Sequence, residues 1–317
     1  MNSLFWLACT ALVVGFSGDE ERPSVIVVVG AEGSEEFGQQ FRQWTTRWSD
    51  VAKRGHAGFI SIGLDDVVSK TDRDQLKQRL AESGKSSTQP LWLVLIGHGT
   101  FDGKAAKFNL RGPDVAATEL AEWLKPIERP VAIINCSSSS GPFLNELSGP
   151  NRIVITATKS GHEYNFARFG DFLSAAMTDP QADLDKDEQT SLLEAFLLAS
   201  SRVQEFYASD GRLMTEHALL DDNGDRLGTP ADWFQGVRAI KSAKNGATVD
   251  GLRAAQLHLV RSPREEQLPA ASRARRDEIE QELAQLRQRK SQLSEDEYLR
   301  QIEPILIELA RLYDAAK

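Results

Sequence analysis

Two stretches decide the fold: LWLVLIGHG (91–99) and VAIINCSSSSG (131–141). Each opens with an unbroken apolar run of strand length, and each run ends abruptly at glycine or polar residues. Runs that are apolar on both faces read as strands buried on both faces, which is how strands of a parallel sheet look. His98 follows the first strand, set between Gly97 and Gly99. Cys136 follows the second. Ligands of an open parallel sheet bind outside the carboxyl ends of its strands. Adjacent strands ending in His and Cys therefore bring both side chains to one edge.

Outward from this pair the same grammar repeats. PSVIVVVG (23–30) reads as a further buried strand, FISIGL (59–64) and RIVITA (152–157) read as strands, and AAQLHLV (254–260) is a candidate sixth. Helices are expected from Glu35–Glu36 onward, with Phe41, Trp44 and Trp48 on one side, over 71–83 behind the capping box of Thr71 and Asp74, and over 116–124. Strands alternating with helices predict a three-layer α/β domain with a mainly parallel sheet, spanning about 22–262. PREEQLPAASRARR (263–276) reads as a linker with a solvated basic face at Arg273, Arg275 and Arg276. Beyond it, Ile279, Leu283, Leu286 and Leu293 sit at heptad-like spacing with Lys290 taking one slot, and Tyr298, Ile302, Ile305, Leu309 and Leu312 then repeat at steps of four and three. With the capping box of Ser294 and Glu297, this predicts an α-helical hairpin over 270–317, kinked at Pro304.

The 317-residue chain is 41% hydrophobic and 26% charged, enough to bury a core, and its net charge is −9. An acidic balance argues against nucleic acid as a partner, since a phosphate backbone needs a basic face. The apolar run Leu4 to Phe16 is too short to span a bilayer and is followed by small residues and then charges. A signal peptide over 1–18 is expected, cut near Ser17 or Gly18, giving an exported protein with no membrane segment in its mature form. The alternative is a retained N-terminal anchor. Removal of the signal leaves Cys136 as the one thiol, so no internal disulfide is expected. A lone thiol in an oxidising compartment is buried or used.

An imidazole beside a thiol lowers the thiol pKa and supplies the thiolate that attacks a carbonyl. The N–H groups of Cys136 and Gly99 are placed to form an oxyanion site. The plain alternative is a buried structural Cys and a turn His. A strand ending in His-Gly, followed by a strand ending in Cys, resembles the caspase-like clan of cysteine peptidases. VVVGAEGSEEFG (27–38), the GHG and NCSSSSG turns, and TATKSGHEYNFARFGDF (156–172) are most similar to bacterial legumain-family proteins, over about residues 24–209. The resemblance implies His98 as general base, Cys136 as nucleophile, and a protein or peptide substrate. Legumains carry an Asn and an Arg-His pair in the first strand-to-helix loop. Glu36, Gly38 and Gln39 stand there in this chain, so an Asn-specific pocket is not expected. Glu35, Glu36, Glu163 and Asp171 would instead line an acidic pocket suited to a basic residue, or else are solvated surface. The contrasting expectation is a catalytically silent module of the same fold that binds partners or assembles through its C-terminal helices.

No cofactor is required, but calcium is a candidate ligand. Asp183, Asp185, Asp187, Gln189, Ser191 and Glu194 occupy positions one, three, five, seven, nine and twelve of a calcium loop. Glu188 replaces the usual glycine at position six. A solvated acidic loop with a Ser191–Glu194 capping box is the other reading. A second acidic stretch, Asp221, Asn223, Asp225 and Asp232, reads first as a polar turn. SGKSS (83–87) lacks the upstream glycine of a phosphate loop, and SSSSG (137–141) lacks the first glycine of a nucleophile elbow. His56, His162, His217 and His258 show no metal-ligand spacing. His162 is a second candidate base.

Overall fold

The computed structural model describes residues 22–65, 70–84, 87–241 and 249–314. The expected signal peptide lies outside them.

The chain alternates as its periodicity predicts: β1 (Ser24–Val29), α1 (Glu35–Arg54), β2 (Gly58–Ile62), α2 (Asp72–Ser83) and β3 (Leu91–Ile96). A small antiparallel excursion follows His98, made of β4 (Gly99–Phe101), β5 (Ala106–Phe108) and β6 (Val115–Ala116). It leads into α3 (Ala117–Leu124), β7 (Val131–Asn135), α4 (Gly141–Leu147), β8 (Arg152–Thr156), α5 (Phe169–Ala176) and α6 (Leu192–Ser209). The main sheet runs β10-β9-β8-β7-β3-β1-β2, where β9 is Leu219–Asp221 and β10 is Thr229–Pro230. The five strands from β8 to the β2 edge are parallel; β9 and β10 are antiparallel additions at the opposite edge.

Successive residues of a strand face opposite sides, and the two cores divide accordingly. Val27, Trp92, Val94, Ile96, Ala132, Ile134 and Cys136 face α1, α5 and α6. Ile26, Val28, Leu93, Leu95, Val131 and Ile133 face α2, α3 and α4. The result is the expected three-layer fold. On α1, Phe41, Trp44 and Trp48 fall at helical spacing and are fully buried.

The expected strand at 254–260 is not one. After a short ribbon of β11 (Phe234–Gln235) and β12 (Arg238–Ala239), the chain enters α7 (Leu252–Gln256), and only His258 makes an isolated bridge, to Ser191. Gly251, at φ 110°, turns into this helix in the left-handed region. The buried Asp222 carboxylate accepts from Gly251 N at 2.9 Å and Ala254 N at 2.9 Å. A cap supplied from thirty residues away in sequence favours helix where local apolarity suggested strand.

The stretch read as a linker is helical and packed. Ser262 caps α8 (Pro263–Gln267), whose first residue is a proline, and α9 (Ala270–Gln288) follows at once. Arg276 is no solvated residue: its Nη1 holds Glu265 at 2.8 and 2.7 Å, with both side chains about nine-tenths buried. Arg275 pairs with Glu308 at 2.8 Å across the hairpin, and Arg273 donates to the carbonyls of Glu265 and Leu268. The second helix, α10 (Glu295–Asp314), runs continuously through Pro304 and packs on α9. Among the described residues no helix is long and apolar enough to cross a membrane.

Candidate active site

His98 and Cys136 emerge from the carboxyl ends of β3 and β7, which are paired in parallel with Leu95 opposite Asn135. Both project to the α1–α5 side of the sheet. The glycines around His98 are demanded by close approach. A β-carbon at Gly97 would lie 3.1 Å from Gly30 Cα, and one at Gly99 2.3 Å from the Ser138 carbonyl oxygen. The His98 ring stands edge-on to Phe37 at 5.0 Å and Phe41 at 5.4 Å, with Phe166 at 5.9 Å. Its Nε2 lies 3.3 Å from the Glu32 carbonyl oxygen. That contact fixes the ring and, where Nε2 carries the proton, leaves Nδ1 as the basic nitrogen.

Cys136 is sealed, with 1% of its surface exposed. It makes no hydrogen bond to His98. Gly170 of α5 and Trp44 of α1 close over it; a β-carbon at Gly170 would stand 2.7 Å from Cys136 Cβ and 2.8 Å from the indole. Burial, reinforced by the negative charge of Glu216, pushes the thiol up to about 12. The thiol in this conformation is therefore protonated at neutral pH. Glu216 is itself pushed up by burial. Its carboxylate takes the N–H groups of Arg168 and Phe169 at 2.8 and 2.9 Å and the Tyr207 hydroxyl at 3.2 Å. It thus pins the start of α5, the helix that covers the thiol.

The two N–H groups expected to form an oxyanion site are engaged within the chain. Cys136 N donates to the Leu95 carbonyl at 2.9 Å, because the parallel ladder extends one residue past β7. Gly99 N donates to Ser138 Oγ at 3.3 Å.

The serine run is the part of the site that strand-end reasoning misses. Asn135 Oδ1 accepts from Ser137 N at 3.0 Å and Ser137 Oγ at 2.7 Å, closing the turn on itself. Ser138 ties it to Gly99, Ser139 N donates to the Glu163 carbonyl at 2.9 Å, and Ser140 Oγ pairs with Thr158 Oγ1 at 3.1 Å. Four small polar residues after a buried strand are a clamp between the His98 turn and the 157–168 loop. Ser139 holds φ 54°, and its Oγ and Asn135 Nδ2 are buried without a partner among the described residues. Such strain and unpaired groups concentrate where a loop is held for function.

The four acids expected to line one pocket are not gathered. Glu35 and Glu36 are exposed on the first turn of α1. Asp171 pairs at 2.5 Å with Arg47, twelve residues further along α1, which at 1.5 Å per residue is roughly 18 Å from Glu35. Glu163 is nearly buried and committed to its own loop, with Oε1 2.6 Å from His217 Nδ1 and Oε2 accepting from Lys159 N at 2.9 Å. A cavity of about 810 Å³ opens instead behind this loop. Phe169, Leu197, Val203, Met214 and Phe234 line it, with Glu216 and His217 on one wall. His162 sits on the exposed surface, 2.6 Å from the Tyr164 hydroxyl.

In the first acidic loop, carboxylate oxygens of Asp183, Asp185 and Asp187 lie within 4.8 Å of one another. Lys186 and Glu188 adopt φ 65° and 70°, so Glu188 takes the left-handed turn usually made by glycine. Burial, then Asp187, Glu194 and Asp183, push Asp185 up to about 6. The side chains of the other three predicted residues, Gln189, Ser191 and Glu194, are engaged within the chain. Glu194 Oε2 accepts from Ser191 N and Oγ at 2.8 Å, and its Oε1 from Leu184 N at 2.8 Å. The Gln189 amide bonds Asp187 at 2.7 Å and receives Ser262 N at 3.2 Å. In the second acidic stretch, Asp221 accepts from Gly224 N and Arg226 N, Asp225 from Leu227 N, and Asp232 pairs with Lys241, which is the polar turn.

No family model and no curated protein matches the chain. Among solved structures it is similar to the Drosophila initiator caspase Dronc, at 14% identity and TM-score 0.45, covering 65% of this chain and 81% of that one. It is also similar to Raptor of Chaetomium thermophilum, at 10% identity and TM-score 0.34, over 52% of this chain and 18% of that one. A protein of Geobacter sulfurreducens aligns at 10% identity and TM-score 0.37, over 57% of this chain and 89% of that one. These likenesses concern shape and say nothing of chemistry.

Proposed function

We propose that the chain is an exported cysteine endopeptidase of the caspase and legumain type, with His98 as general base and Cys136 as nucleophile. The observation that carries this reading is the pairing of β3 with β7 in parallel, which sets the two residues at neighbouring strand ends on one side of the sheet. In the catalytic step His98 would take the Cys136 proton. The sulfur would then attack the scissile carbonyl, the amine would leave with that proton, and water would hydrolyse the thioester. The conformation described is a closed one: the thiol is covered by Gly170 and Trp44 and held protonated. Peptide binding must therefore displace α5 or the 157–168 loop before attack. Calcium, gathered by Asp183, Asp185 and Asp187 with Glu194 released from its cap, would brace the segment between α5 and α6.

The test is a panel of peptides varied at the residue before the cleaved bond, incubated with and without calcium. Cleavage by the wild type, lost in Cys136→Ala and in His98→Ala, is the expected result. A wild type that cuts nothing in either condition removes the reading. That outcome supports a catalytically silent binding module, which the sealed thiol and the engaged N–H groups of Gly99 and Cys136 favour.

A further inference from the structure

The cavity behind the 157–168 loop takes no part in the proposed peptidase chemistry, since neither His98 nor Cys136 is among its lining residues. Its volume of about 810 Å³ is that of a cavity able to enclose a small molecule. Phe169, Leu197, Val203, Met214 and Phe234 make most of its wall apolar. A space walled in this way favours an apolar ligand over water.

The ionisable side chains on the wall decide what else that ligand must carry. They are Lys159, Glu216, His217 and Asp232. Both acids are committed. Glu216 takes the N–H groups of Arg168 and Phe169 and the Tyr207 hydroxyl, and Asp232 is paired with Lys241 at 2.8 Å. The two bases have capacity to spare. They meet at one oxygen, Glu163 Oε1, with His217 Nδ1 at 2.6 Å and Lys159 Nζ only at 4.0 Å. One carboxylate thus serves two bases at one corner of the cavity. Lys159 Nζ makes no hydrogen bond and His217 Nε2 has no partner among the described residues.

We propose that this cavity binds a monocarboxylate with an apolar body. The tail lies against Phe169, Leu197 and Phe234, and the head rests on Lys159 and His217. A single ammonium already shared with Glu163 suits a head of one negative charge better than a dianion. A cationic head would meet only acids that are already paired. This chemistry is carried by a free fatty acid and equally by the C-terminal residue of an apolar peptide.

Calorimetry on the full chain tests the proposal with octanoate, octanol and octylammonium, which hang one tail on an anionic, a neutral and a cationic head. Octanoate is expected to bind at least tenfold more tightly than octylammonium. Lys159→Ala is expected to weaken octanoate about tenfold and to leave octanol unchanged. Leu197→Trp, which fills the cavity, is expected to abolish binding of both, with circular dichroism confirming that it is folded; should it fail to fold, the Lys159 variant decides. N-acetyl-trileucine, whose carboxylate is free, is measured beside octanoate, and whichever binds in a Lys159-dependent way names the source. Binding of neither overturns the proposal. So does an octanoate affinity no greater than that of octylammonium, or one indifferent to Lys159→Ala.

Discussion

Gly170 and Cys136 meet at a distance that admits no side chain at position 170: a β-carbon there would stand 2.7 Å from Cys136 Cβ. Gly170→Ala must therefore push α5 off the sheet. Overpacking of this kind costs about 1–3 kcal/mol, to be read as a lowered denaturant midpoint. Because α5 is also the cover of the thiol, the same variant is expected to react with an alkylating reagent faster than the wild type does. Unchanged stability and unchanged labelling would show that the helix sits elsewhere.

The buried thiol makes a pH prediction whose sign follows from its direction. Its folded pKa, about 12, lies above that of an unfolded cysteine. Stability from this group is complete below roughly pH 8.5 and is lost as pH rises from there toward 12. Wild type and Cys136→Ala, unfolded by denaturant at neutral and at alkaline pH, should differ accordingly, with the wild type losing more stability between the two. Alkylation of the folded wild type at neutral pH should be slow. Rapid labelling without peptide would contradict the closed conformation.

Arg276 of α9 and Glu265 of α8 form a nearly buried pair where the chain enters the hairpin, with Nη1 of the arginine held by both carboxylate oxygens. Removing Glu265 leaves the buried Arg276 with Asp277, 2.7 Å away, as its remaining carboxylate partner, so the cost is expected to fall below the roughly 3–5 kcal/mol of a fully unpaired buried charge. Glu265→Ala should accordingly expose α9 and α10 to proteolysis while the sheet domain survives. Equal resistance in mutant and wild type would mean that other contacts hold the hairpin.

Asp185 yields opposite results with and without calcium. Its carboxyl is pushed up to about 6, so above that pH the folded loop carries a charge it disfavours. Without calcium at pH 7, Asp185→Asn should melt higher than the wild type. With calcium the wild type should gain stability and the variant should not, and the gain should fade as pH drops below about 6. A wild-type melting curve indifferent to calcium eliminates the metal from the account.

Much of the fold could be read from the chain because its signals are local. Most of the parallel strands are apolar runs, with Ser61 interrupting the partly exposed β2, and α1 shows Phe41, Trp44 and Trp48 at helical spacing. Errors arose where distant groups decide. Asp222 caps α7, so an apolar stretch became helix; Glu265 neutralises Arg276, so a basic stretch became buried structure. At the site, strand order placed His98 and Cys136 on one edge. Whether the thiol is open depends on α5, and that depends on Glu216 reaching back to Arg168 and Phe169. Glu163 is spoken for by His217, which lies far along the chain.

That last tie bears on biosynthesis. The serine turn is joined to Glu163, and Glu163 to His217. A nascent chain that has left the ribosome only as far as α5 already contains His98 and Cys136 but lacks the residue that tethers their loop. Contacts between remote segments form late, because the loop between them must first close. Translation therefore delivers His98 and Cys136 well before His217, and the turn that follows Cys136 can be tied down only after the segment carrying His217 has been made.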